Sequence, residues 1–231
     1  MKVTTDGCLF GAFVSQELGS LFNRFTADEI EAVKILDIGT GTGLLTLLLA
    51  QKNKCLFDGI EIDPDAFQQA SENVAASPWA GSIKIISGDA REFAFPGKYD
   101  FIISNPPFYE KDLRGDEPKK NLAHHNEGLA LPELMNIIKK NLNLNGCFYL
   151  LLPYKRNEEI KKLLIEKELF VQQLTFIRQS VNHDYFRIIL SGKLKTTIQT
   201  ETRIDEISIK DDNDQYTPAF VSLLKDFYLH L

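Results

Sequence analysis

The segment Asn105-Pro106-Pro107-Phe108 carries the most chemical information in this sequence. Two consecutive prolines fix φ and remove two backbone donors. What remains is a rigid turn rich in carbonyl acceptors, to which Asn105 adds a side-chain carbonyl. Such acceptors suit a planar –NH2 group, because both of its hydrogens can be given to fixed partners. Two such bonds draw the nitrogen lone pair out of conjugation and toward sp3 geometry, ready to attack an electrophilic carbon. That is catalysis by orientation, and it needs no strong base. Phe108 can stack on the flat group that bears the amine. The plain alternative is a Pro-Pro turn closing a strand beside a core phenylalanine. The position of the segment, after a fourth strand at the sheet edge where ligands lie, favours the chemical reading.

A second cluster precedes it. Asp37-Ile38-Gly39-Thr40-Gly41-Thr42-Gly43 follows a short apolar run and opens an apolar helix. Glycines let the chain turn sharply and let a ligand approach the backbone without a Cβ in the way. A dinucleotide fingerprint is G-x-G-x-x-G or G-x-G-x-x-A. Here the third glycine arrives one residue early and Leu44 fills the sixth place, which counts against a pyrophosphate cradle and a NAD-linked oxidoreductase. The G-x-G-x-G form resembles motif I of the S-adenosylmethionine methyltransferases. Glu61 closes a second strand, where a carboxylate can accept ribose hydroxyls. Its alternative role, capping the next helix, is already filled by Asp63, with Pro64 at the first helical position. Asp89, in Gly88-Asp89-Ala90 after a third strand, is an acceptor for an adenine amino group or simply a turn aspartate.

The elements that must position these groups alternate. Residues 33–38, 56–62, 83–86, 99–104 and 147–152 read as strands, with helices over 44–50, 64–76, 131–140 and 156–168. Two further strands, 171–177 and 185–192, read as an antiparallel pair, and 218–229 reads as a final helix whose apolar residues pack on the core. This predicts an α/β fold of the Rossmann-like class I type: a mostly parallel seven-stranded sheet, helices on both faces, and a C-terminal antiparallel strand pair. The chain is read as one domain. Residues 1–30 form an N-terminal lid for cofactor and substrate, 31–195 the core, and 196–231 a tail with the last helix.

Composition sets outer limits. The 231 residues fit one α/β domain. No apolar run reaches a membrane span, and the N-terminus lacks the apolar stretch of a signal peptide. Three scattered cysteines with no zinc spacing argue for a reduced, cytoplasmic setting and for no metal. The net charge of −6 argues against a surface that coats nucleic acid broadly, but residues 201–231 hold −4 of it, so a local basic patch elsewhere can meet phosphate. Candidates are Lys111, Arg114, Lys119 and Lys120 after the Pro-Pro turn, and Lys155 and Arg156 after the fifth strand; a solvated face is the alternative. His124 and His125 can order that loop or touch a nucleic-acid partner.

Taken together, Met1-Lys2-Val3-Thr4-Thr5-Asp6-Gly7, the glycine turn, Asn105-Pro106-Pro107-Phe108-Tyr109, Ala123-His124-His125, Leu131-Pro132-Glu133-Leu134 and Tyr216-Thr217-Pro218 resemble the tRNA1(Val) adenosine-37 N6-methyltransferases over nearly the whole chain. The family's short aromatic and basic segment ahead of Met-Lys-Val is not in this sequence, and its absence would bear on RNA affinity rather than on cofactor binding. The resemblance implies S-adenosylmethionine as cofactor, held by Asp6, Asp37, Gly39, Gly41, Gly43, Glu61, Ile62, Asp89, Ala90 and Asn105. In that family a Thr-Asp-Gly turn, here Thr5-Asp6-Gly7, leans over the methionine end. The resemblance assigns catalysis to Asn105, Pro106 and Phe108, and substrate contact to Pro107, Phe108, Tyr109, Lys155 and Arg156. The implied partner is the anticodon loop of tRNA, met by a monomer without a membrane or a stable protein partner. Two neighbouring activities stay open. An rRNA guanine N2-methyltransferase usually has His after the Phe, where this chain has Tyr109-Glu110. A protein-glutamine N5-methyltransferase tends to have Tyr in place of Phe108. A DNA adenine methyltransferase would be expected to carry a target-recognition domain. A non-catalytic RNA-binding module would not need the full motif set.

Overall fold

A computed structural model describes residues 4–107, 129–195 and 201–230. The elements run α1 (Thr5–Phe22), α2 (Ala27–Glu31), β1 (Lys34–Ile38), α3 (Leu44–Ala50), β2 (Leu56–Glu61), α4 (Pro64–Ala75), β3 (Ile83–Ser87), β4 (Tyr99–Ser104), α5 (Leu131–Asn141), β5 (Leu142–Pro153), α6 (Asn157–Glu166), β6 (Leu169–Ser180), β7 (Tyr185–Leu194), β8 (Arg203–Lys210) and α7 (Pro218–Leu224). They build one sheet in the order β3-β2-β1-β4-β5-β7-β6-β8. Only β7 runs against its neighbours, pairing antiparallel with β5 and β6, while the other pairs are parallel.

Both faces of the sheet are covered, so its central strands are apolar throughout rather than alternating with polar residues. Successive residues of β1 and β4 feed opposite faces. Ile35 and Ile103 join the core under α1, α3 and α7. Leu36, Ile38 and Ile102 join the core under α5 and α6. This double coverage is what makes the parallel half rigid enough to carry a site on its edge.

The structure differs from the sequence expectation in three places. The sheet has eight strands, not seven: Arg203–Lys210, expected as tail, pairs parallel to β6. Its register puts exposed Ile204 and charged Asp205 and Glu206 on an edge strand, which masks the apolar signal. The last helix stops at Leu224, and Phe227 and Tyr228 pack on the core beyond it. Residues 5–22, including Thr5-Asp6-Gly7, form a helix whose stretch from Gly7 to Ser15 is wholly buried. Thr4 caps it, its side chain accepting from the Gly7 amide. Gly11 permits the close crossing of α1 and α3, because a Cβ there would lie 2.5 Å from Leu48 Cδ1. No helix among the described residues is long and apolar enough to cross a membrane.

Candidate active site

Strand order reverses between β1 and β4, and in open parallel sheets the crevice beyond the carboxyl ends of such strands takes the ligand. The glycine turn lies there. Gly39, Gly41 and Gly43 have φ of 71°, 60° and 80°, a region that side-chain-bearing residues avoid. At Gly39 a Cβ would meet nothing within 4 Å, so the backbone is open on that side to a ligand.

Asp37 stands behind this turn with 2% exposure. Its Oδ2 accepts from the Thr40 and Thr46 hydroxyls at 2.7 and 2.8 Å. Its Oδ1 is buried and has no hydrogen-bond partner among the described residues. A buried acceptor without a donor is costly and calls for one from beyond the described residues, a role a bound ligand can fill. Burial, reinforced by the charge of Glu61, pushes the Asp37 carboxyl up to about 6, against the opposing bonds from Thr40 and Thr46.

Glu61 is also nearly buried, and it does more than end β2. Its Oε2 accepts from the Gly41 amide at 2.8 Å, and its Oε1 from the amides of Ile62 and Asp63 at 2.9 and 3.0 Å. The carboxylate therefore ties the glycine turn to the end of β2. A carboxylate offers about four lone-pair sites, so about one is left for a ribose hydroxyl. Asp63 caps α4, accepting from the Ala66 amide at 2.8 Å. Ile62 is 57% exposed beside this acid, an apolar surface of the kind on which a flat base can lie. Ala90 is half-buried and packs against the core beneath α5 and α6.

Asp89 is held by a partner that sequence reasoning missed. Arg91 Nη2 donates to Asp89 Oδ2 at 2.6 Å, its Nε reaches both carboxylate oxygens, and its Nη1 lies 3.6 Å from Glu133 Oε1 at the start of α5. The Arg91 bonds keep the Asp89 carboxyl below its ordinary value against partial burial. The two-residue spacing was the available signal.

Asn105, Pro106 and Pro107 follow β4 directly. Asn105 is half-buried, Pro106 buried and Pro107 exposed. Ser104, just before them, is buried and donates to the Ile38 carbonyl at 2.7 Å, joining the Pro-Pro turn to the glycine turn. A Cβ at Gly7 would lie 3.8 Å from Asn105 Nδ2, so the first turn of α1 flanks Asn105. Asp6, in that turn, accepts from Arg187 Nε of β7 at 2.8 Å. Burial raises the Asp6 carboxyl, and bonds from Thr4 and Arg187 outweigh it, leaving it below its usual value. The structure thus brings Asp6, Asp37, the three glycines, Glu61, Asp89 and Asn105 to one sheet edge. Phe108, Tyr109, Lys111, Arg114, Lys119, Lys120, His124 and His125 lie outside the described residues.

Lys155 and Arg156 lie in a short 3-10 turn, Tyr154–Arg156, at the same edge. Arg156 forms a two-pronged pair with Glu159 at 2.6 and 2.8 Å. Among the described residues no group of three His, Cys, Asp or Glu side chains could hold a metal ion.

Residues 13–127 match the family model "Methyltransferase small domain". The chain is 33% identical to the tRNA1(Val) (adenine(37)-N6)-methyltransferase of Yersinia enterocolitica, covering 100% of this chain and 87% of the relative. It is 35% identical to the protein of the same name from Dyadobacter fermentans, covering 99% and 91%. Among solved structures, a "predicted O-methyltransferase" from Agrobacterium tumefaciens superposes with a TM-score of 0.67 at 16% identity, over 94% of this chain and 95% of that one. The glycopeptide N-methyltransferase MtfA with bound S-adenosyl-L-methionine gives 0.56 at 11% identity, over 80% and 94%. These two establish the class I methyltransferase fold, and full-length identity above 30% establishes more: the chain belongs to the tRNA1(Val) (adenine(37)-N6)-methyltransferase family.

Proposed function

We propose that this protein methylates N6 of adenosine 37 in tRNA1(Val), using S-adenosylmethionine. Bound cofactor supplies a methyl group on a positively charged sulfur, an electrophilic carbon with a good leaving group. The residues present suit it. Asp37 Oδ1 awaits a donor, Glu61 has a lone pair left beside the open glycine turn, and Ile62 offers an apolar face. Asp6 and Gly7 flank the amine-binding turn.

On the substrate side, the Asn105 side-chain carbonyl and the Pro106 backbone carbonyl accept the two hydrogens of the adenine amino group. This frees the nitrogen lone pair and fixes its direction, and the proton passes to water after transfer. Orientation of this kind accounts for much of the rate without a strong base. The proposed partner is tRNA, met at the anticodon loop.

The observation that carries this reading is the 2.7 Å bond from Ser104 to Ile38, which makes the amine clamp and the glycine turn one rigid unit. The test is methyl transfer from labelled cofactor to total tRNA and rRNA, followed by nucleoside identification. N6-methyladenosine in tRNA is expected. N2-methylguanosine in rRNA would replace the reading with its nearest neighbour, and no label in either RNA would overturn it.

A further inference from the structure

An aromatic cluster shares the sheet edge with Asn105 but lies on the side away from the glycine turn. Tyr154 follows β5, Phe176 lies near the carboxyl end of β6, and Tyr185 opens β7. Because β7 runs against both neighbours, its start meets their ends: Arg187 pairs with Pro153, and Tyr185 with Arg178. The rings form a closed triad with centroid distances of 5.6 Å (Tyr154–Phe176), 5.4 Å (Tyr154–Tyr185) and 5.3 Å (Phe176–Tyr185). Tyr154 and Phe176 rest on the core beneath α5 and α6, yet all three residues are only partly buried.

The triad is braced by polar groups. The Arg178 guanidinium lies 5.5 Å from the centroid of the Tyr185 ring, within cation–π range. Arg178 donates to Ser208 at 2.7 Å and Glu206 at 2.9 Å, and the Tyr185 hydroxyl donates to Glu206. Rings that served packing alone would gain most by full burial. These are instead held rigidly at the surface, beside a cation, with Lys155 and Arg156 next in sequence.

We propose that Tyr154, Phe176, Tyr185 and Arg178 form a stacking platform for an unpaired nucleotide adjacent to the methylated adenosine. The inference rests on the tRNA reading above. Neighbouring strands lie about 4.8 Å apart, so a platform spread over the ends of β5, β7 and β6 begins about one strand spacing from β4 and ends about three away. A base withdrawn from its stack leaves its neighbours without a partner, and aromatic side chains replace that partner irrespective of sequence. Charge makes this contribution matter more. A chain of net charge −6 has little long-range attraction for RNA, so contacts that do not depend on charge must carry a larger share. The Arg178–Glu206 and Arg156–Glu159 pairs are partly exposed, and such pairs are weak enough for a phosphate to displace the acid.

The test measures binding of a short hairpin RNA with an unpaired loop adenosine by fluorescence anisotropy, and cofactor binding by calorimetry, on the full chain. Tyr185→Ala and Tyr154→Ala should each weaken RNA binding about tenfold. Tyr185→Phe, which keeps the ring, should stay within about twofold. Tyr185→Leu fills the space without a π face and should behave like Tyr185→Ala, which guards against misfolding as the cause. Cofactor affinity should be unchanged in all four. Wild-type RNA affinity in both alanine variants with intact melting curves, or cofactor affinity falling in step with RNA affinity, would overturn the platform. If the wild-type protein forms no N6-methyladenosine in total tRNA, the tRNA reading fails and takes the platform with it. If the wild type methylates tRNA and the alanine variants bind RNA as tightly as it does, the platform alone is wrong.

Discussion

The Ser104 hydroxyl donates a 2.7 Å hydrogen bond to the Ile38 carbonyl, joining the last residue of β4 to the last residue of β1. The glycine turn begins at the next residue on one side, and the amine clamp at the next residue on the other. The parallel ladder of β1 and β4 sets their relative position, and this buried contact locks the two strand ends where the ladder stops. Losing a buried hydrogen bond costs about 1–3 kcal/mol, and a misplaced clamp is felt in the chemical step. Ser104→Ala should lower kcat about tenfold and the melting temperature measurably, with cofactor affinity nearly unchanged. Steady-state kinetics with calorimetry check this, and an unchanged kcat would show that the bond does not set the clamp.

Asp37 predicts a pH dependence with a definite sign. Its folded-state carboxyl titrates at about 6, above its ordinary 3.8. Between those values the folded chain binds more protons than the unfolded chain, so this group's contribution to stability is full below pH 3.8 and is lost as pH rises through 6. The loss amounts to roughly 3 kcal/mol. A donor from the cofactor on Oδ1 favours the ionised form, so cofactor affinity should rise as pH climbs through 6. Asp37→Asn should flatten both trends. Chemical denaturation and calorimetry from pH 4 to pH 8 read them directly, and a cofactor affinity independent of pH in the parent protein would contradict the assignment.

Glu61→Ala would leave three backbone amides, those of Gly41, Ile62 and Asp63, without their acceptor. The glycine turn should loosen from β2 and the ribose contact should go with it. We expect cofactor binding at least about tenfold weaker by calorimetry and a lower melting temperature. Equal affinity in variant and parent would remove Glu61 from the cofactor site.

What was legible in the sequence was local. The glycine turn, Glu61 at a strand end, Asp63 as cap and the Pro-Pro turn after β4 are all set by residues within a few positions of one another. The contacts that lock them together were not legible. Ser104 and Ile38 are 66 residues apart, and Arg187 and Asp6 are 181 apart. Only the fold brings such pairs into contact. Helix α1 was hidden because its buried stretch from Gly7 to Ser15 shows no helical alternation, and Gly7 and Gly11 read as turn residues until the crossing with α3 explains the small side chain at Gly11. Strand β8 was hidden because an edge strand tolerates Arg203, Asp205 and Glu206 among its isoleucines.

In the proposed mechanism Asn105 and the prolines position the exocyclic amine, and the expected contact of Asn105 with the cofactor adds little to its affinity. The most direct measurement is single-turnover methyl transfer to tRNA by Asn105→Ala, alongside cofactor affinity by calorimetry. Transfer should fall by at least about a hundredfold while cofactor affinity stays within a few-fold of the parent. Transfer within a few-fold of the parent, or a collapse of cofactor binding that accounts for the whole loss, would contradict it.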